Sequence, residues 1–246
     1  SIFFKTNIVY DNILEANKST STDSELTITN DKLNENNTSN FMISVWFYID
    51  NWGINISEEK NILYMATKAG VCDIDGLNIS SGISNKVEIS DKSICKSANI
   101  SSTASKDPTK YKNLSISLDK YENNLFLDIQ TYSKNNDQNE NDVVITRYKI
   151  SNIPVQKWNC LILSIDTKTF DVYLDGKLIN SFILHGIYKN DDDEKNIYLG
   201  NIDGKTSFQG FITRIRYEPY SINPEQAYNI YKEAINESLL KSLFDK

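Results

Sequence analysis

The sequence is poor in the residues that several kinds of chemistry require. Its one histidine is His185, and no GxSxG motif accompanies it, so a serine nucleophile would have no other base to draw on. His185 is therefore assigned no catalytic role. The three cysteines include no CxxC pair, which with a lone histidine argues against zinc. They allow at most one internal disulfide. Cys72 and Cys95 lie in polar, loop-like sequence, whereas Cys160 sits inside an apolar strand pattern, where a free thiol behaves as a small hydrophobe. Cys72–Cys95 is the natural pairing, and a reducing compartment would leave all three free. No run approaches the roughly 20 apolar residues of a membrane-spanning helix, and no signal-peptide pattern opens the chain. The start at Ser1 leaves room for a leader, an anchor or another domain before it. Basic residues number 26 against 33 acidic, a net charge of −7. Such a balance offers no basic footprint for phosphates, which excludes nucleic acid and anionic membrane surfaces as partners. Glycine, proline and alanine are sparse beside asparagine, lysine, isoleucine and serine, a coding bias rather than a structural demand. No proline- or glycine-rich linker divides the 246 residues, so one domain over residues 1–246 is expected, with 223–246 as a C-terminal helical segment.

What is present is strand after strand. Residues 158–165 carry apolar side chains on both parities, with Leu161, Leu163 and Ile165 on one face and Trp158, Cys160 and Ile162 on the other. A strand of that kind is covered on both sides. Phe170, Val172 and Leu174 then alternate with Asp171 and Tyr173, and Asp175-Gly176 follows, a pair suited to a type I′ turn because both positions need positive φ. The turn is expected to bring Val172 opposite Ile179 and Tyr173 opposite Leu178. Residues 41–49 repeat the two-faced pattern, and so belong in the middle of a sheet.

Other strands are expected at residues 2–10, at an edge, and at 25–29, 61–67, 113–118, 124–131, 142–150, 196–199 and 210–217. Between residues 70 and 112 hydrophobic periodicity fades, and the stretch reads as a long decorated loop with short strand fragments. Asn223-Pro224-Glu225-Gln226 has the grammar of a helix start: asparagine N-cap, proline at the first position and glutamine three residues after the cap. Ala227, Ile230, Tyr231 and Ala234 give that helix an apolar face, and Ile235, Leu239, Leu240, Leu243 and Phe244 continue the spacing.

A dozen short strands without an interleaved helix predict an all-β sandwich. More specifically, FMISVWFYIDNW (41–52), IPVQKWNCLILSID (153–166), FDVYLDGKLINSF (170–182), NIYLGN (196–201) and FQGFITRIRYEPYSINPEQAYNIY (208–231) resemble the ordered pieces of the concanavalin A-like, or laminin-G-like, jelly roll. The resemblance covers roughly residues 2–234 and speaks for fold more than for function. It implies two antiparallel sheets followed by a C-terminal helix. The asparagine- and lysine-rich dialect and the PEQAYNIYKEA ending look most like laminin-G-like proteins encoded by nucleocytoplasmic large DNA viruses. That implies a non-enzymatic structural or surface-recognition component of a virus particle, located in the virion, with other virion proteins or cell-surface glycans as partners. A second resemblance, to the jelly-roll half of the receptor-binding region in clostridial neurotoxins, implies the alternative of a secreted carbohydrate-binding module or toxin receptor-binding domain.

Glycosidases of this superfamily carry carboxylates as ExDxxE along one strand, flanking the scissile bond as nucleophile and acid. The nearest approach, Glu140-Asn141-Asp142, has Ile145 where the second glutamate is needed, so the reading is not an enzyme. No cofactor is expected apart from calcium, which relatives hold on a sandwich rim. Its candidate ligands are Asp191, Asp193, Asn201 and Asp203, against the alternative that an acidic run is a solvated loop. Aromatic rings near predicted loops, Trp52, Tyr111, Tyr132 and Tyr188, are the candidate glycan or partner surface, against the alternative of rings packed over strand ends. Eight N-x-S/T sites, at Asn17, Asn36, Asn37, Asn55, Asn78, Asn99, Asn113 and Asn236, are mostly what so much asparagine and serine produces by chance.

Overall fold

The computed structural model describes residues 8–18, 23–33, 39–52, 56–67, 84–88, 112–132, 143–190, 195–202 and 206–236. In chain order the strands are β1 (Ile8–Tyr10), β2 (Leu14–Glu15), β3 (Thr27–Ile28), β4 (Phe41–Asn51), β5 (Lys60–Ala66), β6 (Ser84–Glu88) and β7 (Leu114–Leu118). They continue with β8 (Leu125–Tyr132), β9 (Val143–Ile150), β10 (Trp158–Asp166), β11 (Thr169–Leu174), β12 (Lys177–Ile183), β13 (Asn196–Leu199) and β14 (Gln209–Glu218), and helix α1 (Pro224–Asn236) closes the series. Two seven-stranded antiparallel sheets result. One runs β1-β14-β4-β10-β11-β12 with β2 also on β14, and the other runs β3-β13-β5-β7-β8-β9-β6.

The two-faced strands lie where their patterns require. β4 and β10 pair at the centre of the first sheet. Phe41, Ile43, Val45, Phe47 and Ile49 of β4, with Leu161, Leu163 and Ile165 of β10, enter the core between the sheets. Met42 and Trp46, with Trp158, Cys160 and Ile162, face the other way into a second apolar cluster. Helix α1 covers that cluster with Ala227, Ile230 and Ala234, and Tyr231 stacks on Trp46 at 5.8 Å. Burial on both faces thus follows from one sheet lying between a second sheet and a helix.

The helix begins as expected. The Gln226 N–H donates to Asn223 Oδ1 and the Asn223 N–H to Gln226 Oε1, each at 2.9 Å, a reciprocal capping box. Its docking is fixed by the Ile222 N–H donating to Ser164 Oγ (2.9 Å) and by the Arg216–Glu233 ion pair (3.2 Å). The continuation expected beyond Asn236 lies outside the described residues.

Two local expectations are corrected. The stretch expected as a strand at residues 25–29 is a 3-10 turn, Asp23–Leu26, followed by the two residues of β3. The β11–β12 hairpin has the expected turn, with Asp175 at φ 51° and Gly176 at φ 75°, and Tyr173 lies opposite Leu178. Val172, however, faces Asn180, because Ile179 is the extra residue of a β-bulge. The bulge returns Phe182 to the core side while leaving Leu178, Ile179 and Ile183 exposed on the edge strand.

Candidate functional site

β6 ends one sheet and β12 ends the other. Among the described residues, the space between them is a cleft of about 390 Å3, within the roughly 300–1,000 Å3 range of small-molecule sites. The sequence of β6 accounts for its polar side. Antiparallel pairing sets Ser84 opposite Tyr148 and Lys86 opposite Thr146, so the inward positions of β6 carry a hydroxyl and an ammonium group where apolar side chains would extend the core. Both residues are exposed. The Tyr148 ring rests on Phe170 and Phe182 with centroids 5.4 and 4.6 Å away, forming the floor against the core. Burial pushes its phenol up to about 12. Ile183, Leu184 and His185 form the wall on the β12 side.

His185 is positioned by the crossing from one sheet to the other. The Leu184 N–H donates to the Lys168 carbonyl at 2.7 Å, and the Tyr132 N–H to the Ile187 carbonyl at 2.9 Å. Gly186 lies between, so close to β8 that a Cβ there would stand 2.0 Å from the Tyr132 carbonyl oxygen. Only glycine permits that approach.

Across the second sheet Thr27, Tyr198, Tyr64, Ser115, Asp128 and Arg147 are successive cross-strand neighbours, with Tyr64 and Tyr198 packed into the core cluster. Arg147 donates to Asp128 (Nε to Oδ1 and Nη2 to Oδ2, both 2.7 Å) and to Glu59 (2.6 and 2.9 Å), and its guanidinium lies 4.4 Å from the centroid of the Phe126 ring. Burial opposes the guanidinium charge, but the two carboxylates outweigh it and raise the Arg147 pKa. With their oxygens taken by that fork, Asp128 and Glu59 form a structural network rather than an acid and nucleophile pair.

Among the described residues, none of the aromatic candidates lines the cleft. Tyr188 is a correction: it is 2% exposed and packs on Phe41 at 4.8 Å, because its backbone bridges to Thr131 and draws the ring into the core. Trp52 is half-buried against the core with Lys60 Nζ 5.8 Å from its ring, and Tyr132 carries Lys189 Nζ at 4.7 Å. Neither lines the cleft, and Tyr111 lies outside the described residues. So do Cys72, Cys95, Asp191, Asp193 and Asp203. Of the calcium candidates only Asn201 is described, and among the described residues no three His, Cys, Asp or Glu side chains gather to hold a metal. Asn113 is buried and donates to the Lys189 carbonyl, so that sequon is closed to glycosylation. Among the described residues no helix is long and apolar enough to cross a membrane.

Sequence reading missed Ser84, Lys86, Thr146 and Tyr148 and gave His185 no part. A loss of hydrophobic periodicity around β6 was the only local signal, and the pairing of β6 with β9 spans some 60 residues of chain.

The sequence profile of the concanavalin A-like lectin/glucanases superfamily matches residues 87–227, more than half of the chain. No curated protein matches the chain in sequence. Among solved structures, the receptor binding domain of botulinum neurotoxin D superposes with a TM-score of 0.55 at 11% identity, covering 96% of this chain and 47% of that one. The botulinum neurotoxin serotype G binding domain gives 0.52 at 12%, covering 96% and 48%. The sialidase of Trypanosoma rangeli gives 0.44 at 13%, covering 78% and 22%. This chain thus spans less than half the length of each, and what it shares with the two binding domains at such identities is the fold.

Proposed function

The chain belongs to the concanavalin A-like lectin/glucanases superfamily, and on that premise we propose that it is a non-enzymatic recognition module that holds a saccharide in the cleft between β6 and β12. The observation that carries this reading is the cleft itself. Its described lining brings together hydroxyls of Ser84 and Thr146, the polar side chains of Lys86 and His185, and an apolar wall of Ile183 and Leu184. A sugar needs that mixture, since it presents hydroxyls around its rim and C–H groups on its faces. A glycosidase would instead need two carboxylates roughly 5–9 Å apart across a cleft, and no carboxylate is among the described lining residues. The botulinum relatives are binding domains by description, which suits a surface or extracellular setting.

A glycan array probed with the purified protein tests the reading. Wild type should bind a defined subset, and Ser84→Trp, which fills the cleft from an exposed position, should lose that binding with an unchanged melting temperature. Binding untouched by Ser84→Trp would remove the cleft from the account.

A narrower reading makes the partner surface part of a large DNA virus particle. It is supported by the asparagine- and lysine-rich composition and the helical ending at residues 224–234, and stoichiometric detection in purified particles by mass spectrometry is its expected outcome. Absence from particles overturns it.

A further inference from the structure

We propose that strand β12 joins two copies of this chain, pairing antiparallel with β12 of a second copy so that their first sheets continue into one. The joint stands whether or not the cleft takes a saccharide. Backbone geometry gives the first reason. The Leu184 N–H donates to the Lys168 carbonyl, and Ile183, Phe182 and Ser181 lie opposite Thr169, Phe170 and Asp171. Hydrogen-bonded and non-bonded pairs alternate along an antiparallel ladder. Counting back from Leu184, Phe182 is bonded to β11, whereas the N–H and C=O groups of Ser181 and Ile183 point away from it, off the edge of the sheet. Among the described residues no backbone group takes them up. An open edge of that kind is a template for another strand.

The second reason is what this edge lacks. β1 and β3 also end their sheets, but with three and two residues they offer little to pair with. β12 runs for seven, holds no proline and carries one charge, Lys177. It leaves Leu178 47% and Ile183 73% exposed. Its one interruption is the bulge at Ile179, beyond which residues 180–183 are regular and carry no charge. A chain of net charge −7 meets its own copy at least cost along such an acid-free strip.

The third reason identifies the occupant. A strand added here must present outward N–H and C=O groups at alternate positions, an apolar side chain to cover Ile183, and no acid. β12 of a second copy has all of these, because in a two-fold joint the same groups are offered from both sides. Pairing centred on residues 180–183 also keeps the two Lys177 ammonium groups roughly 30 Å apart, at about 3.4 Å per residue. That is about three Debye lengths at roughly 0.1 M salt. Ile183 belongs to the cleft wall as well, so the joint sets two clefts side by side. Four residues from each copy fall below a standard interface, and the expected Kd is about 10–100 μM.

The test is sedimentation equilibrium from about 1 to 500 μM, a range that brackets that Kd, with residue-resolved amide hydrogen exchange on the same samples. Wild type should pass from monomer to dimer, and the Ser181 and Ile183 amides should exchange at least about tenfold more slowly in the dimer. Ile183→Lys puts a charge on the edge at an exposed position. It should stay monomeric throughout with an unchanged melting temperature. Ser181→Pro removes one outward N–H and should also stay monomeric. Because Ser181 Oγ donates to Asp171 Oδ1 at 2.5 Å, Ser181→Ala, which loses that bond alone, is the control and should still dimerise. Wild type that is monomeric at the highest concentration overturns the proposal. A dimer that survives both Ile183→Lys and Ser181→Pro joins through another face and overturns it too. So does a dimer whose Ser181 and Ile183 amides exchange as fast as those of the monomer.

Discussion

Cys160 shows how much one residue's surroundings decide. It is fully buried between β10 and the helix cluster. Burial pushes its thiol pKa up, and Asp175 adds to that against the opposing pull of Arg216 and Arg214. Since only the thiolate is reactive, Cys160 should resist iodoacetamide in the native protein at pH 8 and be labelled on unfolding. Mass analysis of the labelled protein reads both states. The proposed Cys72–Cys95 bridge makes the same experiment quantitative: unfolded but unreduced protein should show one thiol, and three would remove the bridge. Tyrosines give a pH signature. Burial pushes Tyr148, Tyr173 and Tyr217 from 10.0 up to about 12, with Asp171 assisting at Tyr173. The fold therefore favours the neutral phenol while the unfolded chain ionises from about 10. That stability is complete below pH 10 and is lost as pH rises through 12. Melting temperature should fall across that window, and a flat profile would contradict the assignment.

Glycines decide two elements. At the β11–β12 turn Gly176 holds φ 75° with Tyr231 Cβ 3.0 Å from where its own Cβ would be, so the turn and the helix constrain the same position. Asp175 in that turn accepts from the Cys160 N–H (3.0 Å) and from Lys157 Nζ (2.7 Å), tying the hairpin to the start of β10. Gly176→Ala should cost about 1–2 kcal/mol for the left-handed backbone alone, readable in urea unfolding. A cost below a few tenths would mean that the turn relaxes freely. Gly186 acts on the site. A methyl group there cannot coexist with the Tyr132 carbonyl at 2.0 Å, so Gly186→Ala should displace the His185 segment and lower saccharide affinity with His185 itself unchanged. Unaltered affinity together with an unaltered melting temperature would argue that His185 is held by something else.

For the whole molecule, the sheet built on β4 and β10 needs a cover on each side. The second sheet supplies one, and α1 supplies the other over Met42, Trp46, Trp158, Ile162 and Tyr173. Ending the chain after Ser221 uncovers that cluster and should produce self-association and binding of a hydrophobic dye, seen by gel filtration and fluorescence. A truncated chain that stays monomeric and melts as before would show the helix to be dispensable. Much of this architecture was readable in the residues. The two-faced runs of β4 and β10, the Asp175-Gly176 turn and the Asn223 capping box are local patterns, and local patterns are set by side-chain period and backbone preference wherever they occur. The bulge at Ile179 was not readable, because either register of the hairpin satisfies its alternation until Phe182 must reach the core. The cleft was least readable of all. Its residues come from β6, β9 and the crossing after β12, each unremarkable alone, and only the pairing of distant strands sets Ser84 beside Tyr148, Lys86 beside Thr146 and His185 across from them. Sequence by itself determined most of the strands, which of them are buried on both faces and where the helix starts. Tertiary structure alone decided that two sheet edges would stand apart around a lysine and a histidine, because that depends on which strands come last in each sheet, and no local pattern encodes it.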